Sequence, residues 1–180
     1  MIASFVQGPV PRLVLVGIVL VALQQTLFTD LRPAGVTVQV VLALAAAAGA
    51  GAGSQKGALA GFVLGLMYDL RVGSPIGSSS LTMGLAGFTA GYVTSITVDP
   101  QWWLAGLFTA LGAAVGEAVT PLVRVFIGEE YVLTYRLIVI VGVVACAAFV
   151  MSPILVPIGR WCMKVKRTDW NKVEIAKTLD

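Results

Sequence analysis

The sequence predicts an all-α integral membrane protein built as a six-helix transmembrane bundle. Of its 180 residues, 58% are hydrophobic and 12% are charged, and the mean hydropathy is +0.92. Soluble domains carry about 25% charged residues, so a water-soluble fold is not expected. The few charged residues also divide the chain into long uncharged runs. Most of these approach the length of about 20 apolar residues that a spanning helix needs.

The uncharged runs define the predicted organisation, a polytopic bundle over 1–160. The predicted spans are 13–29, 33–55, 57–70, 78–98, 101–122 and 137–159. The third is the weakest, because its uncharged part ends at Tyr68 and is too short to cross a bilayer by itself. It can span when Asp69 is included at its end or when neighbouring helices shelter it. We therefore expect six spans, and five spans with a re-entrant third segment are the alternative.

The distribution of basic residues predicts the orientation of the chain. With six spans, both termini lie on the same side of the membrane as Arg12 and Lys56. That side collects eight of the twelve Lys and Arg residues, six of them after Gly159. Because positive residues concentrate on the cytoplasmic side, both termini are predicted to be cytoplasmic. Residues 161–180 then form a basic cytoplasmic tail that attracts anionic lipid head groups.

Catalytic chemistry is not expected from these residue types. The chain has no histidine, so the serines at 78–80 have no imidazole base to activate them. No cluster of cysteine and histidine offers a metal site, and Cys146 is expected to be a small buried hydrophobic residue. The basic segment directly follows a span and indicates a membrane surface, not a nucleic-acid partner. We predict a non-enzyme with no catalytic residue, cofactor or metal.

A row of glycines marks the third span. Gly57, Gly61 and Gly65 are four residues apart, so they share one face of a helix. In lipid, such a face allows two helix backbones to approach closely and pack. The partner helix can belong to this bundle or to another protein, and the sequence leaves both alternatives open.

Glu117 is the one charged residue expected deep within a span. It lies about 9 Å inside the outer end of the fifth span. A carboxylate at the bilayer centre costs about 2.5–3.5 kcal/mol, and less near the ends, so it should face the bundle or a partner. Arg71, Arg124 and Arg136 are predicted on the same outer side as its counter-ions. The alternatives are a structural ion pair, a partner contact and a polar solute site.

A tight turn is predicted between the third and fourth spans. Pro75 stops a helix, and Gly73 and Gly77 permit positive φ on either side of it. We expect Asp69 to accept hydrogen bonds from the exposed N–H groups of the turn and to pair with Arg71. A serine hydroxyl that follows the turn can cap the next helix.

The residues of this turn and of the preceding helix also resemble a known signature. The matching residues are Gly61, Phe62, Gly65, Leu66, Asp69, Leu70, Gly73, Pro75, Gly77 and Leu81. Together with about six short-looped spans and a basic tail, this pattern resembles the MreD family of rod shape-determining proteins. The signature turn comprises Gly65, Asp69, Arg71, Gly73, Pro75 and Gly77. The second span departs from the pattern, because it is unusually rich in alanine and glycine.

The resemblance implies a fold similar to the substrate-binding subunits of energy-coupling-factor transporters. It implies a non-catalytic scaffold of the elongasome in the bacterial cytoplasmic (inner) membrane, which positions peptidoglycan synthesis and maintains cell shape. The implied partners are MreC and, through it, MreB, RodA and a transpeptidase. The alternative function is a solute-binding membrane subunit of an energy-coupling-factor-type transporter. That alternative needs converging polar groups beneath the outer face. The sequence offers few, namely Glu117, Gln101, Thr109, Thr120 and scattered groups of the outer loops.

Overall fold

The computed structural model describes residues 8–26, 35–73, 75–96, 102–128 and 136–163. The described residues form six α-helices and no strand, which confirms the predicted all-helical class. The helices are α1 (Pro9–Thr26), α2 (Val40–Ala52), α3 (Ser54–Val72), α4 (Ser78–Ile96), α5 (Trp102–Phe126) and α6 (Arg136–Cys162).

The second helix departs most from the predicted spans. α2 has 13 residues, whereas the uncharged run predicted a span over 33–55. Residues 36–39 precede the helix without regular structure, and residues 33 and 34 lie outside the described residues. Gly53 ends the helix with a φ of 93°, a conformation that glycine adopts without the steric cost of a Cβ. The uncharged run is therefore not one helix.

The third helix is longer than its uncharged run predicted. α3 is a continuous helix of 19 residues from Ser54, about 28 Å long at 1.5 Å per residue. The helix is unbroken over this length, so the segment does not turn back on itself.

The last two helices also extend beyond their predicted ends. α5 continues to Phe126 and α6 to Cys162. The tail predicted from 161 thus begins as the last helical turn, because the apolar face of α6 continues past Arg160. Residues 27–29, 97–98, 101 and 164–180 of the predicted spans and tail lie outside the described residues.

The core is centred on α2. All residues from Val40 to Ala50 are buried, and the helix packs against α3, α4, α5 and α6. The alanines of α2 leave room for four neighbours to approach its backbone. Its first turn is capped from another helix, since the Val41 N–H donates to Gln24 Oε1 of α1 at 3.2 Å. This bond satisfies one of the four N–H groups that a helix start leaves unpaired.

Within the described residues, two helices are long and apolar enough to cross a membrane, namely α5 and α6. α1 and α2 are shorter apolar helices by the same measure. Much of α6 faces outward, and its exposed large side chains are Ile138, Val139, Phe149, Val150, Ile154 and Trp161. Cys146 is also exposed on this helix. Its prediction as a buried residue was wrong, because only a narrow stripe of α6 meets the bundle.

Candidate functional site

The turn between α3 and α4 is organised by Asp69. Its side chain is 1% exposed and points at the start of α4. The Gly77 N–H donates to Oδ2 at 2.9 Å, the Ser79 N–H donates to Oδ1 at 3.1 Å, and the Ser78 hydroxyl donates to Oδ1 at 3.3 Å. The carboxylate therefore caps α4 from the preceding helix, and its negative charge lies at the positive end of the helix dipole.

The glycines of the turn adopt the conformations that the sequence predicted. Gly73 has a φ of 74° and closes α3 by donating its N–H to the Asp69 carbonyl at 2.9 Å. Gly77 has a φ of 106° and presents the N–H that Asp69 binds. The Pro75 carbonyl accepts from the Ser78 N–H at 3.1 Å. The helix cap comes from Asp69 and not from a serine, because the tight turn brings this carboxylate directly over the first N–H groups of α4.

Arg71 does not lie in this network. It is exposed and lines a surface cavity of about 390 Å³ between α1 and α3, with Ile18, Val21 and Met67. The expected pairing of Arg71 with Asp69 stays a prediction.

The glycine row of α3 packs inside the bundle, against α4. A Cβ at Gly61 would overlap the carbonyl of Met83, and a Cβ at Gly65 would overlap the backbone of Ser79 and Ser80. At Gly57 it would overlap the backbones of Gly49 and Gly87. Of the two alternatives for this face, the structure supports packing within the chain and leaves these glycines no room for a foreign helix.

Glu117 is buried in the C-terminal half of α5, with 8% of its surface exposed. Gln39 donates from Nε2 to Glu117 Oε2 at 2.8 Å. This amide comes from the segment 36–39, which approaches α5 without regular structure.

A cavity of about 660 Å³ opens beside this hydrogen bond. Among the described residues, its polar groups are Thr37, Gln39, Glu117, Arg124 and Arg136, and the other lining residues are Gly35, Val36, Val139 and Ile140. The volume lies within the range of about 300–1,000 Å³ that small-molecule sites occupy. Two guanidinium groups and one carboxylate thus converge on one space, which we call the Glu117 cavity.

A smaller cavity of about 160 Å³ adjoins the first and shares Gln39 and Arg124 with it. It lies between the end of α3, the start of α4 and the end of α5. Its other polar lining residues are Tyr68, Ser78, Ser79, Thr82 and Thr120. The signature turn and the Glu117 cavity are therefore neighbours at one end of the bundle.

The sequence predicted only some members of this site. Of the three arginines predicted as counter-ions of Glu117, Arg124 and Arg136 line its cavity, and Arg71 lines another. Gln39 was missed, because amides within an apolar run give no periodic signal. Its isolation between Val38 and Val40 was the one sign that could have identified it.

No group of three His, Cys, Asp or Glu side chains that could hold a metal ion occurs among the described residues. Comparisons of the chain with known protein families, curated proteins and solved structures find no match.

Proposed function

We propose that this chain is a multi-pass membrane protein whose six helices all cross the bacterial cytoplasmic membrane. The two helices of spanning length and the large apolar side chains exposed on α6 support this placement. The orientation is inferred from the basic residues of the whole sequence. With six spans, eight of the twelve Lys and Arg residues, six of them after Gly159, lie on the side of Arg12 and Arg160. The end with Arg12 and Arg160 is then cytoplasmic.

Within that membrane, the proposed function is a non-catalytic scaffold of the cell-elongation machinery. The chain would bind MreC and help to position peptidoglycan synthesis, which maintains rod shape. The observation that carries this proposal is the α3–α4 hairpin. The residues that resemble the MreD signature act there as one unit. Asp69 caps α4, and Gly61 and Gly65 allow α4 to pack closely against α3.

The test is depletion of the protein in its native cell, with cell width and incorporation of new wall material followed together. The scaffold function predicts widening or rounding of cells and dispersed wall synthesis. Complementation with Asp69→Ala should fail or be weak and should recover less MreC in a pull-down, whereas the matched Arg71→Ala variant should complement. Unchanged cell shape after depletion would overturn the proposal.

The second candidate is a solute-binding subunit of an energy-coupling-factor-type transporter. The observation that favours it is the Glu117 cavity. A solute-binding subunit needs converging polar groups, and the cavity brings together polar groups that are few and scattered in the sequence. It predicts normal cell shape after depletion together with lost uptake of a small solute. Glu117→Gln should reproduce the uptake defect and leave cell width unchanged.

A further inference from the structure

We propose that the Glu117 cavity binds a zwitterionic aminophosphate group, such as the head group of an ethanolamine phospholipid. The ammonium would lie against Glu117 and the phosphate against Arg136. This inference rests on the membrane placement proposed above and does not depend on the scaffold function.

The ammonium side of the site is defined by a Glu117 carboxylate oxygen that accepts no hydrogen bond from the described residues. Gln39 binds one carboxylate oxygen, Oε2, at 2.8 Å. Within the part of the chain that the structure describes, no donor binds the second oxygen, Oε1. Among these residues, Ser80 Oγ is the one side-chain oxygen that is both fully buried and without a partner. Glu117 Oε1 also lacks a partner, so it is not fully buried. A largely buried carboxylate that faces a cavity favours a ligand that brings a positive charge and N–H donors.

The phosphate side is defined by Arg136. This arginine is exposed and lines the cavity together with Glu117. Guanidinium groups bind phosphate oxygens through paired hydrogen bonds. Arg136 is also the first residue of α6, where the helix dipole favours a nearby anion. A purely anionic ligand would leave Oε1 of Glu117 without a donor, so the lining favours a ligand with both charges.

The remaining wall of the cavity is apolar and reaches the outer surface of the bundle. Val36, Val139 and Ile140 line it, and Val139 is 40% exposed. The exposed face of α6 continues from this point through Val150 and Ile154. A phospholipid whose head group fills the cavity could therefore lay its acyl chains along α6 without burying a polar group.

The test is native mass spectrometry of the full chain in detergent, with three phospholipids of identical acyl chains added in turn. Phosphatidylethanolamine should bind about tenfold more tightly than phosphatidylcholine, whose trimethylammonium has no N–H to donate to Glu117. It should also bind more tightly than phosphatidylglycerol, which has no ammonium. Equal binding of the three lipids would overturn the proposal.

Two variants assign the preference to the cavity. Glu117→Gln should abolish the preference for phosphatidylethanolamine, and Arg136→Gln should weaken phosphatidylethanolamine and phosphatidylglycerol alike. Lys56→Gln, at the opposite end of the bundle, is the matched control and should change nothing. If Glu117→Gln does not fold, the Arg136→Gln variant still tests the proposal, because Arg136 is exposed. A preference retained in Glu117→Gln, or an unchanged affinity for both lipids in Arg136→Gln, would contradict the proposal.

Free phosphoethanolamine distinguishes the source of the group. If free phosphoethanolamine displaces the lipid at equal concentration, the ligand is a soluble zwitterion. Displacement only at large excess would support the phospholipid, because the acyl chains then contribute to binding. Insertion into vesicles without any lipid preference would defeat this inference alone, whereas failure to insert would defeat the membrane placement itself.

Discussion

α2 and α6 are both almost entirely apolar, yet they occupy opposite environments. α2 consists mainly of alanine and glycine and is buried along Val40–Ala50. α6 carries isoleucine, valine, phenylalanine and tryptophan, and many of these side chains are exposed. A soluble protein places its large apolar residues inside and does not expose wide apolar surfaces. Between these two helices the pattern is reversed, because the helix rich in alanine and glycine is inside and the helix with many large side chains faces outward.

This difference indicates what would hold the bundle together in the membrane placement proposed above. Lipid tails are as apolar as leucine, so burial of a large side chain between membrane helices gains little, whereas close backbone packing gains dispersion energy. The Gly159 position of α6 illustrates the rule. Where α6 does touch α2, a Cβ at Gly159 would lie 2.7 Å from the Cα of Ala48. Contact between α6 and α2 thus requires small residues on both helices.

The largest expected effect comes from placing a large side chain in the packed interior. Gly61→Leu should destabilise the bundle by about 3 kcal/mol or prevent folding, because the first added carbon already overlaps the Met83 carbonyl. Gly142→Leu on α6 is the matched control, since a Cβ there meets nothing within 4 Å. Thermal unfolding in mild detergent measures both variants. Equal stability of the two would show that the interior does not depend on glycine.

A smaller effect is expected at the α3–α4 hairpin. Asp69→Ala should cost about 1–3 kcal/mol, because the Gly77 and Ser79 N–H groups lose their acceptor. Asp69→Asn should lie between wild type and alanine, since one acceptor oxygen remains and the charge at the helix start is lost. The same unfolding measurement applies, with Arg71→Ala as control. If Arg71→Ala were as destabilising as Asp69→Ala, the cap would not be the main contribution.

The smallest effect on stability, and the sharpest test of the outer environment, is expected at Cys146. A nitroxide attached to this exposed thiol, in a Cys162→Ser background, should leave the unfolding midpoint nearly unchanged. In reconstituted vesicles, it should be more accessible to oxygen than to a water-soluble nickel complex. A label at Arg136→Cys, at the start of α6, should show more nickel access. Greater nickel access at Cys146 would mean that the exposed face of α6 does not meet lipid.

Much of the local structure could be predicted from the sequence. The start of α4 at Ser78, the positive φ of Gly73 and Gly77, and the acceptor role of Asp69 all follow from turn chemistry that depends on a few adjacent residues. The six helices follow from the spacing of charges. The bounds of α2 could not be predicted, because an uncharged run over 33–55 gives no signal for where a helix begins within it.

The sequence by itself determined that the chain is helical and apolar, where most helices lie, and how the α3–α4 turn is built, because these depend on composition and on neighbouring residues. Only the tertiary structure decided which face each glycine meets and which side chains surround Glu117. Gln39 and Glu117 are 78 positions apart, and Arg136 is on a further helix. Their convergence depends on how the helices pack, and packing between small residues is set by backbone approach in three dimensions. The glycine row predicted that a close contact would form, and the fold selected α4 as its partner.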